Sequence, residues 1–126
     1  MNAGRWIEVG PHTFTFAGVE LDWLGRLQVG LLDLGDDALV TAEAAAALYG
    51  LDSFRPGPLV FTAPQARRQR RTSGDVITCD SLGIGDRRFV EGLPTASPTL
   101  TIIHLARRVG LEPLGDALDS ARRKRL

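Results

Sequence analysis

The chain has 126 residues, 44% of them hydrophobic, which fits one globular domain with its own core and is too short for two. Its apolar runs fall short of the ~18 residues that span a membrane, and its single cysteine, Cys79, excludes an internal disulfide, so we expect a cytoplasmic protein. The net charge of zero hides a segregation, because residues 1–54 hold two basic and eight acidic side chains and residues 55–126 hold thirteen and seven. The basic part indicates a polyanionic partner, and the alternative is one dipolar domain whose charges have no dedicated partner.

Residues 1–18 predict a β-hairpin. The segments RWIEV (5–9) and HTFTFA (12–17) are short and rich in aromatic and β-branched residues. The dipeptide Gly10-Pro11 between them is typical of a turn. The first predicted element is therefore a pair of antiparallel strands.

Residues 19–51 predict a helical region. Leucines recur at helical spacing from Leu21 to Leu34, and Gly35 supplies a C-terminal stop. Thr41 stands in an N-cap position before EAAAALYG, a run of good helix formers that Gly50 ends. Two helices are expected here, the second of them short.

Residues 55–92 predict strands around a basic loop. LVFT (59–62) and VITC (76–79) are short apolar runs typical of buried strands. The turn-like GIGD (83–86) precedes RFV (88–90), which predicts a third strand. An arginine-rich stretch lies between the first two.

Residues 97–126 predict two helices. Ser97 with Pro98 is a strong helix start, and the expected apolar face comprises Leu100, Ile103, Leu105, Ala106 and Val109. The last helix is predicted after Glu112-Pro113, with Leu114, Ala117, Leu118 and Ala121 facing inward and the RRKR run facing outward. Residues 1–126 are thus expected to form one small domain of the α/β (α+β) class, in which an N-terminal hairpin and a short mixed sheet are packed by about four helices.

The residues that usually perform catalysis or bind metal are isolated in the sequence. His12 and His104 have no Cys, Asp or Glu at metal-ligand spacing, so each is expected to be structural or at the surface. Cys79 lies in an apolar strand and is expected to be a buried, inert thiol. Asp116 and Asp119 could share a metal, but helix salt bridges with Arg122 and Arg123 are the simpler expectation. We predict no catalytic residue, no metal site, no cofactor and no enzymatic activity.

The candidate binding site is the run RRQRR at residues 67–71. It follows a predicted strand and Pro64, so we expect it to cap a loop or hairpin that projects guanidinium groups into solvent. A guanidinium group can bind a phosphate through two parallel hydrogen bonds, and a cluster of such groups concentrates positive charge where the phosphate backbone of a polyanion could bind. The predicted nucleic-acid-binding residues are Arg67, Arg68, Arg70 and Arg71.

Five segments, in order, resemble one known family over nearly the whole chain. They are GRWIEVGPHTFTF, TAEAAAALYGL, PLVFTAPQARRQRR, EGLPTASPTLTIIHLAR and LGDALDSARRKRL. They resemble segments of the AbiEi-type antitoxins of type IV toxin–antitoxin systems and of related transcriptional regulators. In that family the corresponding segments are, in the same order, the hairpin, the alanine-rich helix, the strand with a basic tip, the "GLPVT-x-P" segment and the closing helix. Thr41-Ala42 stand where that family commonly has Ser-His, and Leu100 and His104 replace its customary arginine and aspartate.

The resemblance implies a non-catalytic core domain that contributes to DNA binding through backbone contacts, or to neutralisation of a cognate toxin protein. Family members usually carry an N-terminal winged helix-turn-helix, and this chain begins at the hairpin that follows it, so we expect a core region without that DNA reader. The alternative is a structural accessory module of a very-short-patch-repair-like endonuclease protein, with no ligand of its own. Neither hypothesis involves a membrane or a small-molecule cofactor.

Overall fold

The computed structural model describes residues 6–10, 13–16, 22–64, 74–79 and 83–126, with backbone alone for residues 6–10, 13–16 and 84. Its strands are β1 (Trp6–Gly10), β2 (Thr13–Phe16), β3 (Leu39–Val40), β4 (Val60–Pro64), β5 (Asp75–Cys79), β6 (Arg87–Val90) and β7 (Leu93–Ala96). Its helices are α1 (Trp23–Leu34), α2 (Ala42–Leu48), α3 (Pro98–Ala106) and α4 (Leu111–Arg123), with a 3₁₀ helix at Ile84–Asp86. Four helices and a five-stranded mixed sheet form a single small α+β domain, as predicted. Among the described residues, no helix is long and apolar enough to cross a membrane.

The five-stranded sheet has the order β5-β4-β3-β7-β6. Strand β4 is parallel to β5 and antiparallel to β3, and β7 is parallel to β3 and antiparallel to β6. The central strand β3 consists of two buried residues that lie between the two helices predicted in region 19–51, where no strand was expected. Strands β1 and β2 pair antiparallel in a separate two-stranded sheet, and residues 11–12 of the predicted hairpin lie outside the described residues.

The predicted leucine helix is α1. Its N-cap is Asp22, whose carboxylate accepts a hydrogen bond from the backbone N–H of Gly25 at 2.8 Å. The helix ends at Gly35, whose φ of 103° is a conformation that favours glycine. Its inward side includes the buried side chains of Leu27, Leu31 and Leu34.

The second helix, α2, is buried through alanines. Ala42, Ala44, Ala45 and Ala46 are fully buried, and their small side chains let the helix approach α3 and the sheet closely. Thr41 occupies the predicted N-cap position, but its side chain makes no capping hydrogen bond. The hydroxyl is instead joined to His104 on α3.

The last two helices bury part of the faces predicted, since Leu105 and Ala117 are buried and Val109, Leu114 and Ala121 pack against the core. Ser97 caps α3 as expected, by accepting from the N–H of Leu100 at 3.2 Å. The buried residues of α3 are Thr101, His104 and Leu105, whereas Ile103, predicted to face inward, is 49% exposed. In α4 the predicted inward residue Leu118 is exposed and Ser120 is buried. Polar side chains are buried beside the apolar ones because they have partners: the hydroxyl of Thr101 donates to the carbonyl of Ala96, and Ser120 accepts from the N–H of Asp52.

The turn between β6 and β7 consists of Glu91 and Gly92, both with positive φ, 53° and 77°. Glutamate is strained there, and asparagine adopts this conformation more readily. Replacing Glu91 by asparagine is therefore expected to raise the free energy of unfolding by about 0.5–1 kcal/mol. Urea unfolding followed by fluorescence measures the change. A Glu91→Gln variant, which removes the charge without relieving the strain, should stay within about 0.5 kcal/mol of the native chain.

Candidate binding surfaces

The predicted site residues Arg67, Arg68, Arg70 and Arg71 lie outside the described residues. The strands on either side of them are parallel, with Val60 opposite Asp75 and Pro64 opposite Cys79. The chain therefore leaves β4 at one end of this strand pair and enters β5 at the other end. A hairpin between these two strands, one of the two predicted alternatives, is wrong, because hairpin strands are antiparallel.

Arg108 joins three elements at the β5 side of the sheet. Its guanidinium donates to both carboxylate oxygens of Glu43 on α2, at 2.6 and 3.2 Å, and to Asp75 on β5 at 2.9 Å. These hydrogen bonds, chiefly those to Glu43, raise the pKa of Arg108. The side chain lies in an open depression of about 440 Å³ that Gly57, Pro58, Leu59, Val60 and Gly74 also line. Because its charge is matched by two carboxylates, Arg108 is a poor candidate for phosphate binding.

The C-terminal cations are partly used in packing α4 against the segment after α2. Arg123 pairs with Asp52 rather than with a carboxylate of its own helix, and its hydrogen bond lowers the pKa of Asp52. Asp116 accepts a hydrogen bond from the hydroxyl of Ser53 at 2.5 Å. For Arg123 and Asp116, contacts between elements thus replace the salt bridges expected along α4. No cluster of His, Cys, Asp and Glu side chains in the described parts of the chain could hold a metal ion.

His104 is structural and buried. Its Nδ1 lies 2.6 Å from Thr41 Oγ1, which connects α3 to the start of α2. Burial lowers the pKa of His104, the nearby Arg107 lowers it further, and Asp86 opposes both. The imidazole is therefore neutral at pH 7.

Cys79 is half-buried rather than fully buried. It lies on the edge strand β5, with Sγ 3.7 Å from the carbonyl oxygen of Ala63 and 3.4 Å from the hydroxyl of Thr62. That hydroxyl donates more strongly to the carbonyl of Ile77, at 2.7 Å. The position next to the edge of the sheet explains the partial exposure that the apolar sequence VITC did not predict.

A surface at the opposite edge of the sheet was not anticipated. On β6, Arg87 and Arg88 are exposed, and Phe89 is 69% exposed. Nearby, Leu32 on α1 is 62% exposed. The segment RRFV was predicted only as a strand, and the signal that could have revealed its exposure is the arginine pair, since charged side chains are typical of edge strands.

Comparison of the chain with protein-family models, curated proteins and solved structures gives no match. The resemblance to the AbiEi-type antitoxins therefore rests on the five sequence segments. In the structure, the segments that form α2, β7 with α3, and α4 are in contact. Tyr49, at the end of α2, donates from its hydroxyl to the carbonyl of Ala96 at 2.7 Å, and Ser120 on α4 accepts from the backbone N–H of Asp52 at 2.8 Å.

Proposed function

We propose that this chain is the non-catalytic core domain of an AbiEi-like antitoxin or transcriptional regulator. In that role it binds the DNA backbone or neutralises a toxin protein through surface contacts. The observation that supports the proposal best is that three segments of the resemblance, far apart in sequence, form one packed unit: the Thr41–His104 and Tyr49–Ala96 hydrogen bonds join two of them, and α3 contacts α4 of the third.

DNA is the partner that the charge distribution favours. Arg108 and Arg123 are each paired with carboxylates from other elements. The run at 67–71 holds four arginines in five positions. Backbone phosphates attract such a cluster regardless of base sequence, and the binding releases counterions.

Fluorescence anisotropy with a labelled DNA duplex, measured across a salt series, tests this proposal. Binding should weaken steeply as salt increases. Replacing Arg67, Arg68, Arg70 and Arg71 together by alanine should reduce the slope of log K against log salt by about 3.6, if each arginine contacts one phosphate of the duplex.

A control variant with the same loss of charge separates a defined site from general attraction. Arg26, Arg55, Arg122 and Arg125 are exposed in the structure, and replacing them by alanine removes the same four charges. The control should retain most of the salt slope. Equal losses in the two variants would contradict a site at residues 67–71, and a native chain that does not bind DNA would contradict the DNA-binding proposal.

The alternative function is a structural accessory module with no ligand of its own. The use of Arg108 and Arg123 in internal ion pairs favours it, because these cations have a role in packing. This hypothesis predicts no binding to any polyanion. Neutralisation of a toxin needs a separate measurement, in which the chain restores growth of cells that express a candidate toxin gene from the same locus.

A further inference from the structure

Strand β6 is the outer strand of the five-stranded sheet, and no strand among the described residues pairs with its outer edge. The N–H of Ser97 donates to the carbonyl of Asp86 at 2.7 Å, and hydrogen-bonded pairs alternate along an antiparallel ladder. Arg88 and Val90 therefore direct their backbone groups toward β7. The N–H and C=O groups of Arg87 and Phe89 point away from the sheet, where another strand could pair with them.

The side chains on this edge are held in place. The guanidinium of Arg87 donates to the carbonyl of Asp36 at 2.6 Å and lies 5.8 Å from the ring centroid of Phe89. This contact holds the cation against the aromatic ring while leaving the ring exposed. An exposed aromatic side chain with an ordered neighbour is typical of a binding surface.

An apolar groove adjoins the same edge. It has a volume of about 170 Å³ and is lined in part by Leu31, Leu32, Ala38, Leu93 and Pro94. Pro94 lies directly opposite Phe89 in the β6–β7 pair, so the groove and the exposed ring are neighbours. Its size suits one apolar side chain.

We propose that β6 accepts an added strand from a partner protein, an extended segment with two adjacent acidic residues and a neighbouring apolar residue. The acidic residues lie opposite Arg87 and Arg88, and the apolar residue contacts Phe89 and enters the groove. Main-chain hydrogen bonds to Arg87 and Phe89 supply affinity, and the charges select the partner.

The charges favour an acidic strand over a second copy of this chain. In an antiparallel pair of two β6 strands, the register that uses all the outward groups places Arg87 opposite Phe89. The same register places Arg88 directly opposite Arg88 of the other copy, and like charges in that position are destabilising. An acidic strand instead meets each arginine with a carboxylate.

The apolar part of the surface favours protein over nucleic acid. Phosphates would find partners in Arg87 and Arg88 but not in Phe89, Leu32 or the groove. The argument for this surface uses described residues alone and none of the arginines at 67–71, so the inference goes beyond the proposed function and stands independently of DNA binding.

Anisotropy of a fluorescein-labelled peptide tests this inference with the full chain. The probe is the hexapeptide Thr-Val-Leu-Glu-Glu-Thr, which in antiparallel register places leucine opposite Phe89 and the two glutamates opposite Arg88 and Arg87. Saturable binding is expected. The lysine counterpart, Thr-Val-Leu-Lys-Lys-Thr, and the acidic peptide N-methylated at leucine should each bind at least about tenfold more weakly, because one lacks the charge match and the other a backbone donor.

Two variants locate the site. Phe89→Pro removes an outward N–H that β7 does not use, and it should weaken the acidic peptide by about tenfold relative to Phe89→Leu, which keeps that donor. Arg88→Glu should remove most of the preference for the acidic over the lysine peptide, because each peptide then has one matched and one mismatched charge opposite residues 87 and 88. Circular dichroism and thermal unfolding verify that each variant is folded.

Three results would overturn the inference. They are absence of binding by the acidic peptide, equal binding of the N-methylated peptide, and equal affinity of Phe89→Pro and Phe89→Leu. Sedimentation velocity adds a fourth: a dimer of the native chain that Phe89→Pro abolishes would assign this edge to a second copy instead.

Discussion

Replacing Gly30 by alanine is expected to lower the free energy of unfolding by about 1–2 kcal/mol, although alanine is the better helix former. Gly30 is buried on α1, and a Cβ atom there would overlap the ring of Phe61 on β4. Phe61 is fully buried, so its ring has no open space into which to move. The overlap outweighs the gain of about 1 kcal/mol in helix propensity.

A second helical glycine provides the matched control. Gly115 lies within α4, and outside that helix's own backbone a Cβ atom there would meet no atom of the described residues within 4 Å. Gly115→Ala should therefore raise the free energy of unfolding by about 0.5–1 kcal/mol. Urea denaturation of both variants measures the contrast, and stabilisation by Gly30→Ala of the same size as by Gly115→Ala would contradict the close contact between α1 and β4.

A double variant tests whether Phe61 is the cause. Phe61→Leu alone should destabilise the chain by roughly 1–2 kcal/mol, because it leaves a space beside Gly30. Adding Gly30→Ala to Phe61→Leu should cost less than adding it to the native chain. The two changes should therefore be non-additive, as expected for residues in direct contact.

The elements with strong local signals were predictable from the sequence. The leucine spacing before Gly35 and the Ser97-Pro98 helix start gave α1 and α3 close to their observed bounds. The apolar runs around Phe61 and Ile77 gave β4 and β5. These patterns are local, so they do not depend on what the rest of the chain contributes.

The two strands that complete the middle of the sheet were not predictable in the same way. Strand β3 has two residues, too few for any periodicity, and it is defined by its partners on both sides. Strand β7 contains Pro94, which argues against a central strand. The structure accommodates this proline because β3 pairs with β7 through Val40 and Thr95, and a parallel bridge centred on Thr95 requires no N–H from Pro94.

The candidate surfaces depend on contacts that the sequence does not encode locally. Arg108 and Arg123 were part of the basic half of the chain, and only the structure shows that Glu43 and Asp52 of the acidic half neutralise them. The binding surface around Phe89 likewise depends on which strand lies at the edge. Sheet order is a long-range property, so the exposure of Phe89 could not be predicted from RRFV alone.

Removing the hydroxyl of Thr41 is expected to destabilise the domain by about 1–3 kcal/mol, because Thr41→Val leaves the buried Nδ1 of His104 without its partner. Thr41 is fully buried and His104 is 5% exposed, so water does not readily replace the lost hydrogen bond. Thr41→Ser, which keeps the hydroxyl, should be much less destabilising. Urea denaturation of both variants at pH 7.5 measures the difference, and equal losses would assign the effect to the lost methyl packing instead.

The same pair makes stability depend on pH. Burial and Arg107 lower the pKa of His104 in the folded chain, and Asp86 opposes them only in part. At a pH between this lowered pKa and the ordinary value of 6.5, the unfolded chain therefore binds the proton and the folded chain does not. Stability is therefore full above about pH 6.5 and decreases as the pH falls below it, with a limiting slope of about 1.4 kcal/mol per pH unit. Unfolding free energies measured from pH 7.5 to 5 should show this decrease. His104→Asn, which keeps a neutral polar atom near Thr41, should remove it, while His12→Asn, which changes the chain's other histidine, should leave it in place. A pH dependence that disappears with His12→Asn and persists with His104→Asn would contradict the assignment to the buried pair.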